Sequence, residues 1–132
     1  MIENKDTNEG TNKKKTTRSL FNLTRERVLA QKVLYCDRPL NRIVGFLRIR
    51  KPEQNLACWL IPCRAAIHTF GMSFDLDVAL LDKEDKVVRI IRDLKPNRIL
   101  PMAPDVHSAV EFVAGALKQT SPGDQFELQI AG

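Results

Sequence analysis

Aromatic side chains are scarce in this chain of 132 residues: they make up 6%, with one tryptophan and one tyrosine. Bases stack on aromatic side chains set among basic ones, and no such platform is legible here, nor is any recognition helix. Long apolar runs are also missing. No stretch approaches the roughly 18 apolar residues that cross a membrane as a helix. The first twenty residues are Asn, Lys, Thr and acids and contain no apolar segment of the roughly 7–15 residues that a secretory signal needs. A cytoplasmic location is therefore expected. The cysteines number three (Cys36, Cys58 and Cys63), an odd set that does not form the paired framework of a small secreted domain. Three reduced thiols are expected, at least two of them packed as small apolar side chains.

What is present fits one domain. Apolar residues make up 43% and charged residues 28%, an ordinary globular balance. The formal net charge is +5, and it is unevenly spread. Residues 1–18 carry five bases against three acids, residues 19–72 nine against three, and residues 73–132 seven against ten. Residues 1–18 hold almost no large apolar side chains, so they read as a disordered basic tail ahead of a single domain over 19–132. A basic balance alone specifies no groove or base contact. Nucleic acid is therefore not the expected partner; a small polar ligand or a protein is.

The domain reads as mainly β. Strands are expected at Leu20–Thr24, Arg27–Tyr35, Leu56–Ile61, Ile67–Met72, Leu76–Leu81, Val87–Ile91, Ser108–Val113 and Phe126–Ile130. The polar turn Asp82-Lys83-Glu84-Asp85 makes 76–91 a hairpin. Pro96, Pro101 and Pro104 argue against a central strand between 95 and 105. One helix is expected after Asp37, a capping residue, with Pro39 in the first turn and Leu40, Ile43, Val44 and Leu47 on one face. Ala114–Lys118 reads as a helical turn, and Ser121-Pro122-Gly123-Asp124 as a tight turn. About seven short strands with one or two short helices define a small sandwich or barrel.

Chemistry-bearing residues concentrate between Pro62 and Asp77, where Cys63, His68, Thr69, Asp75 and Asp77 fall within sixteen positions. Cys58, Cys63 and His68 suggest a metal site with Cys36 as a remote ligand, but Cys-x4-Cys-x4-His is not a usual zinc spacing. Cys63 and His68 suggest a nucleophile and base. In an uninterrupted strand, however, their positions have opposite parity, and Arg64 would point away from Cys63. His68, Thr69 and Asp77 could line the mouth of a small polar pocket, with Gly71 permitting close backbone approach. The structural reading outweighs all three. Asp77 lies between Leu76 and Val78, so its carboxylate must be paired or accept backbone N–H groups if both faces are covered. Trp59 and Met72 read as core, and His107 as a loop residue.

Several blocks resemble one family when taken in order. They are Asn22-Leu23-Thr24-Arg25, Arg42-Ile43-Val44-Gly45-Phe46-Leu47, Leu60-x-Pro62-Cys63-x-x-x-Ile67-His68-Thr69-x-x-Met72, and Asp77-Val78-x-x-Leu81-Asp82. Val87-Val88, Leu94-Lys95-Pro96-x-Arg98-Ile99, Ala109–Gly115 and Pro122-Gly123-Asp124 complete the match. Together they are similar to the domain of unknown function 192 family. The resemblance implies a β-rich, sandwich- or barrel-like fold and no established activity, with His68, Thr69, Met72 and Asp77 as its marked positions. Where the family often shows two bulky aromatics before the methionine, this chain has Phe70-Gly71. Many members carry export signals that are not seen here. The expected function is a non-catalytic binding or accessory module without a cofactor. The alternatives are a small hydrolase or metal-dependent enzyme using Cys63, His68 and Asp77, and an accessory component of a secretion or pilus system.

Overall fold

A computed structural model describes residues 17–36, 54–63 and 66–131. They contain ten strands and no helix: β1 (Thr17–Asn22), β2 (Arg27–Ala30), β3 (Lys32–Cys36), β4 (Leu56–Leu60), β5 (Ala66–His68), β6 (Leu76–Leu81), β7 (Val87–Leu94), β8 (Ile99–Pro101), β9 (Ser108–Val113) and β10 (Phe126–Ala131). The described strands form three sheets of order β10-β1-β2, β3-β4-β9-β6-β7 and β5-β8, and do not close into a barrel. No described helix is long and apolar enough to cross a membrane.

Strand parity explains the layering. The five-stranded sheet is central, and β4, β6 and β9 are buried along their whole length, as their near-continuous apolar sequences demand. Successive side chains point to opposite faces. Ala57, Trp59, Ala79, Leu81, Val110 and Phe112 thus form one core with Leu20, Ala30 and Phe126 of the three-stranded sheet. Leu56, Cys58, Leu60, Leu76, Val78 and Leu80 form a second core on the other face, where Ile67 of β5 and Leu100 of β8 cover them. Trp59 places its large ring in the first core and donates its indole N–H to the buried Ser108 hydroxyl at 3.0 Å, satisfying its one polar atom.

The hairpin expected over 76–91 is present as β6–β7. Its turn is fixed by Asp82, whose Oδ1 accepts the N–H groups of Glu84 and Lys86 at 2.9 and 3.0 Å. Other segments depart from expectation. The run 27–35 is two strands in different sheets, because the chain turns a corner at Gln31, whose N–H donates to the Asn55 carbonyl at 3.1 Å. The strand expected to reach Met72 ends at His68, since Thr69 diverts its backbone groups to Asn97 and Arg98. Ala114–Lys118 forms turns rather than a helical turn. The β3–β4 pair is parallel; the helix expected after Asp37 falls outside the described residues.

Candidate functional site

The segment singled out by its chemistry forms a small ribbon over the second core. β5 and β8 pair antiparallel, with Ala66 opposite Pro101, Ile67 opposite Leu100 and His68 opposite Ile99. Alternation sends Ile67 and Leu100 inward and leaves Ala66, His68, Ile99 and Pro101 on the outer face. Proline fits because β8 pairs on one edge alone.

Thr69 fastens the end of the ribbon. Its side chain is buried, and its hydroxyl donates to the Lys95 carbonyl at 2.7 Å while accepting the Arg98 N–H at 2.8 Å. Its own N–H donates to the Arg98 carbonyl at 2.9 Å, and its carbonyl accepts the N–H groups of Asn97 and Met72 at 3.0 and 3.1 Å. Gly71 follows at φ +81°, a left-handed conformation that costs a side chain about 1–2 kcal/mol. The resulting turn brings Phe70 back over His68, ring centroids 5.3 Å apart and planes 25° from parallel. Phe70 is 48% exposed and Ile99 62%, so the outer face is an aromatic and aliphatic surface. Beside it, Lys95 donates to Asp75 at 2.6 Å; the hydrogen bond and charge of Asp75 raise the Lys95 ammonium above its ordinary pKa.

Asp77 is elsewhere. It is 1% exposed and shares the face of β6 that carries Ala79 and Leu81, away from the ribbon. Its Oδ1 accepts the Asp93 N–H at 3.1 Å, and its Oδ2 accepts the N–H groups of Gly115 and Leu117, each at 3.0 Å. The carboxylate thus ties the end of β7 and the turn after β9 to β6. Cys63 is a buried thiol in the second core, while Met72 packs partly buried against that core. Cys63, His68 and Asp77 therefore occupy three layers: the second core, the outer face of the ribbon and the far side of the central sheet. Cys58 is likewise a buried thiol in the second core. Among the described residues, no group of three or more His, Cys, Asp and Glu side chains is placed to hold a metal ion.

Two features escaped the sequence reading. Glu111 is 4% exposed and lies opposite Cys58 on one side and Val78 on the other; its position inside the apolar run Ala109–Val113 was the available signal. A cleft of about 530 Å³ lies between the β6–β7 turn and the segment before β9, lined by Asp82, Glu84, Asp105, Val106 and His107. Near it, burial raises the Asp85 carboxyl above its usual pKa; the charge of His107 opposes this and that of Asp82 adds to it.

A covered central sheet with an exposed ribbon defines a small layered β protein that holds surface residues on a rigid base. The domain of unknown function 192 family, described as "Uncharacterized ACR", matches residues 21–128. The chain belongs to that family. No curated protein matches it in sequence. Two crystal structures share the fold. A protein of unknown function from Novosphingobium aromaticivorans DSM 12444 is 15% identical with a TM-score of 0.71, over 84% of this chain and 83% of that one. A protein from Sinorhizobium meliloti 1021, described as a putative transcription regulator, is 18% identical with a TM-score of 0.72, over 85% and 92% of the two chains. At these identities the likeness concerns the fold alone.

Proposed function

We propose that this chain is a non-catalytic binding module whose contact surface is the outer face of the β5–β8 ribbon. One observation carries the reading: the polar atoms of Thr69 and Asp77 are occupied in holding backbone, whereas His68, Phe70 and Ile99 stand exposed together. Cys63 and Met72 serve as packing beneath that surface. A hydrolase or metal-dependent enzyme would need Cys63, His68 and Asp77 to meet, and the layering separates them. The module comprises residues 19–132, with 1–18 as an appended tail. Its compartment is the cytoplasm, a reading supported by Cys58 and Cys63, which are not joined in a disulfide.

A thermal-shift screen against metals, nucleotides, sugars, lipids and oligonucleotides tests the surface without prior choice of ligand. A ligand at 100 times its Kd adds about 2.7 kcal/mol, or roughly 3–6 °C per kcal/mol for a domain of this size. The expected hit disappears in Phe70→Ala and in Ile99→Ser. A hit that persists in both variants overturns the ribbon as the contact surface.

A further inference from the structure

Composition argues against a stacking platform, yet the fold assembles one. The β5–β8 pairing and the turn at Gly71 bring His68 and Phe70 into a nearly parallel stack. His68 covers one face of Phe70, and the 48% exposure of Phe70 leaves the stack accessible. The rings are held in advance of binding, because Thr69 between them is hydrogen-bonded through its N–H, carbonyl and hydroxyl. Preorganisation of this kind lowers the entropy cost of contact.

One positive charge beside the platform has no carboxylate partner among the described residues. The backbone of Arg98 pairs with that of Thr69, between the two ring residues, and its guanidinium meets the carbonyls of Pro96 and Asn97 at 3.3 and 3.4 Å. Lys95 differs, being paired with Asp75.

We infer that the ribbon binds single-stranded nucleic acid, with a base stacked on the Phe70–His68 pair and a flanking phosphate on Arg98. The inference rests on the ribbon being the contact surface and names its ligand class. A flat ring pair beside a guanidinium without a carboxylate partner matches the neighbouring base and phosphate of a strand. An acidic protein segment would use Arg98 but not the flat pair, and an anionic bilayer would use Phe70 and Ile99 without a need for ring alignment. A duplex keeps its bases stacked inside, and the described residues include no helix to enter a groove.

The test is fluorescence anisotropy of the full chain with a labelled oligothymidine of about twelve nucleotides, within the site sizes of small β folds. Saturable binding that weakens with salt is expected. Phe70→Ala lowers affinity about 5- to 100-fold without changing the salt slope, because no charge is removed. Phe70→Trp retains binding. Arg98→Ala reduces the logarithmic salt slope by about 0.7. Circular dichroism and the thermal midpoint check that each variant is folded. Absence of saturable binding overturns the inference. So does a Phe70→Ala variant that binds like the parent, since basic residues elsewhere then suffice. Equal, equally Phe70-dependent binding to a duplex of the same length also overturns it. Polyglutamate or phosphatidylserine vesicles that alone raise the melting midpoint in a Phe70-dependent way overturn the nucleic acid and leave the ribbon standing. Hits that are all independent of Phe70 and Ile99 remove both.

Discussion

Replacing Asp77 with alanine removes both carboxylate oxygens and leaves the backbone N–H groups of Asp93, Gly115 and Leu117 without their acceptor. The Leu117 group is buried, so its unsatisfied donor costs about 1–3 kcal/mol. The other two bonds are partly buried, and water replaces the lost acceptor in part; each accounts for about 0.5–1.5 kcal/mol. The sum is about 2–6 kcal/mol, a large share of the roughly 5–15 kcal/mol that holds a domain together. Asp77→Asn is milder, about 1–2 kcal/mol, because its carbonyl oxygen takes the place of Oδ2 while its amide faces the Asp93 N–H. Urea denaturation followed by the fluorescence of Trp59, the single tryptophan, reads both variants. An Asp77→Ala variant within about 0.5 kcal/mol of the parent refutes the staple. If that stable variant also lost ligand binding, Asp77 would belong to the contact surface after all.

Thr69→Val keeps the shape and removes the hydroxyl that joins Lys95 and Arg98; it costs about 1–2 kcal/mol, and hydrogen exchange at the Arg98 amide rises while that of β9 is unchanged. Unchanged exchange at Arg98 would show that the backbone bonds alone hold the turn. Asp85 sits at φ +64° in the β6–β7 turn, and Asp85→Gly relieves both that conformation and a half-buried carboxylate, raising stability by about 0.5 kcal/mol; a lower melting midpoint contradicts this. At Asp124, burial would raise the carboxyl pKa, but hydrogen bonds from Asn22, Arg25 and the Ser121 N–H, with the charge of Arg25, outweigh it and hold the pKa below its ordinary value. The unfolded chain then binds the proton more tightly. The stabilisation is full above the unfolded pKa of about 3.9 and is lost as pH falls through the folded value. Asp124→Asn therefore flattens the stability profile below about pH 4, as acid titration of the urea midpoint would show; a variant with the parent's acid slope places the coupling elsewhere.

The fold was legible where sequence and burial share a period. β4, β6 and β9 are unbroken apolar runs because both their faces are covered, and the β6–β7 turn announces itself through four polar residues in a row. The sequence also carried the fate of Asp77: a carboxylate flanked by Leu76 and Val78 had to find donors, and it found three. What escaped was pairing. Nothing in Arg27–Tyr35 marks Gln31 as the corner between two sheets, because the corner is made by the distant Asn55 carbonyl. The eight strand segments expected became ten through that split and through β8, whose Pro101 hid a strand in a proline-rich stretch.

The ribbon was illegible for a related reason. Parity within one strand does not relate Cys63 to His68, because β5 begins at Ala66; Cys63 lies in the second core and His68 on the outer face of the ribbon. Parity cannot say which face is outside until the partner strand is known. Ile67 and Leu100 are apolar residues buried against the second core, and Ile99, equally apolar, stands 62% exposed opposite His68. Its exposure follows from the register with β5, not from its type. Phe70 is exposed because Gly71 turns the chain at φ +81° and Thr69 is held down by the loop at 95–98. The marked His-Thr-x-x-Met segment thus divides by role: His68 outward on the surface, Thr69 inward as the clasp, Met72 against the core. A residue-by-residue search for catalytic groups treats these as one constellation. The strand register separates the residue that contacts solvent from those that hold it in place, and for that reason substitutions at Phe70 and Thr69 should separate binding from stability.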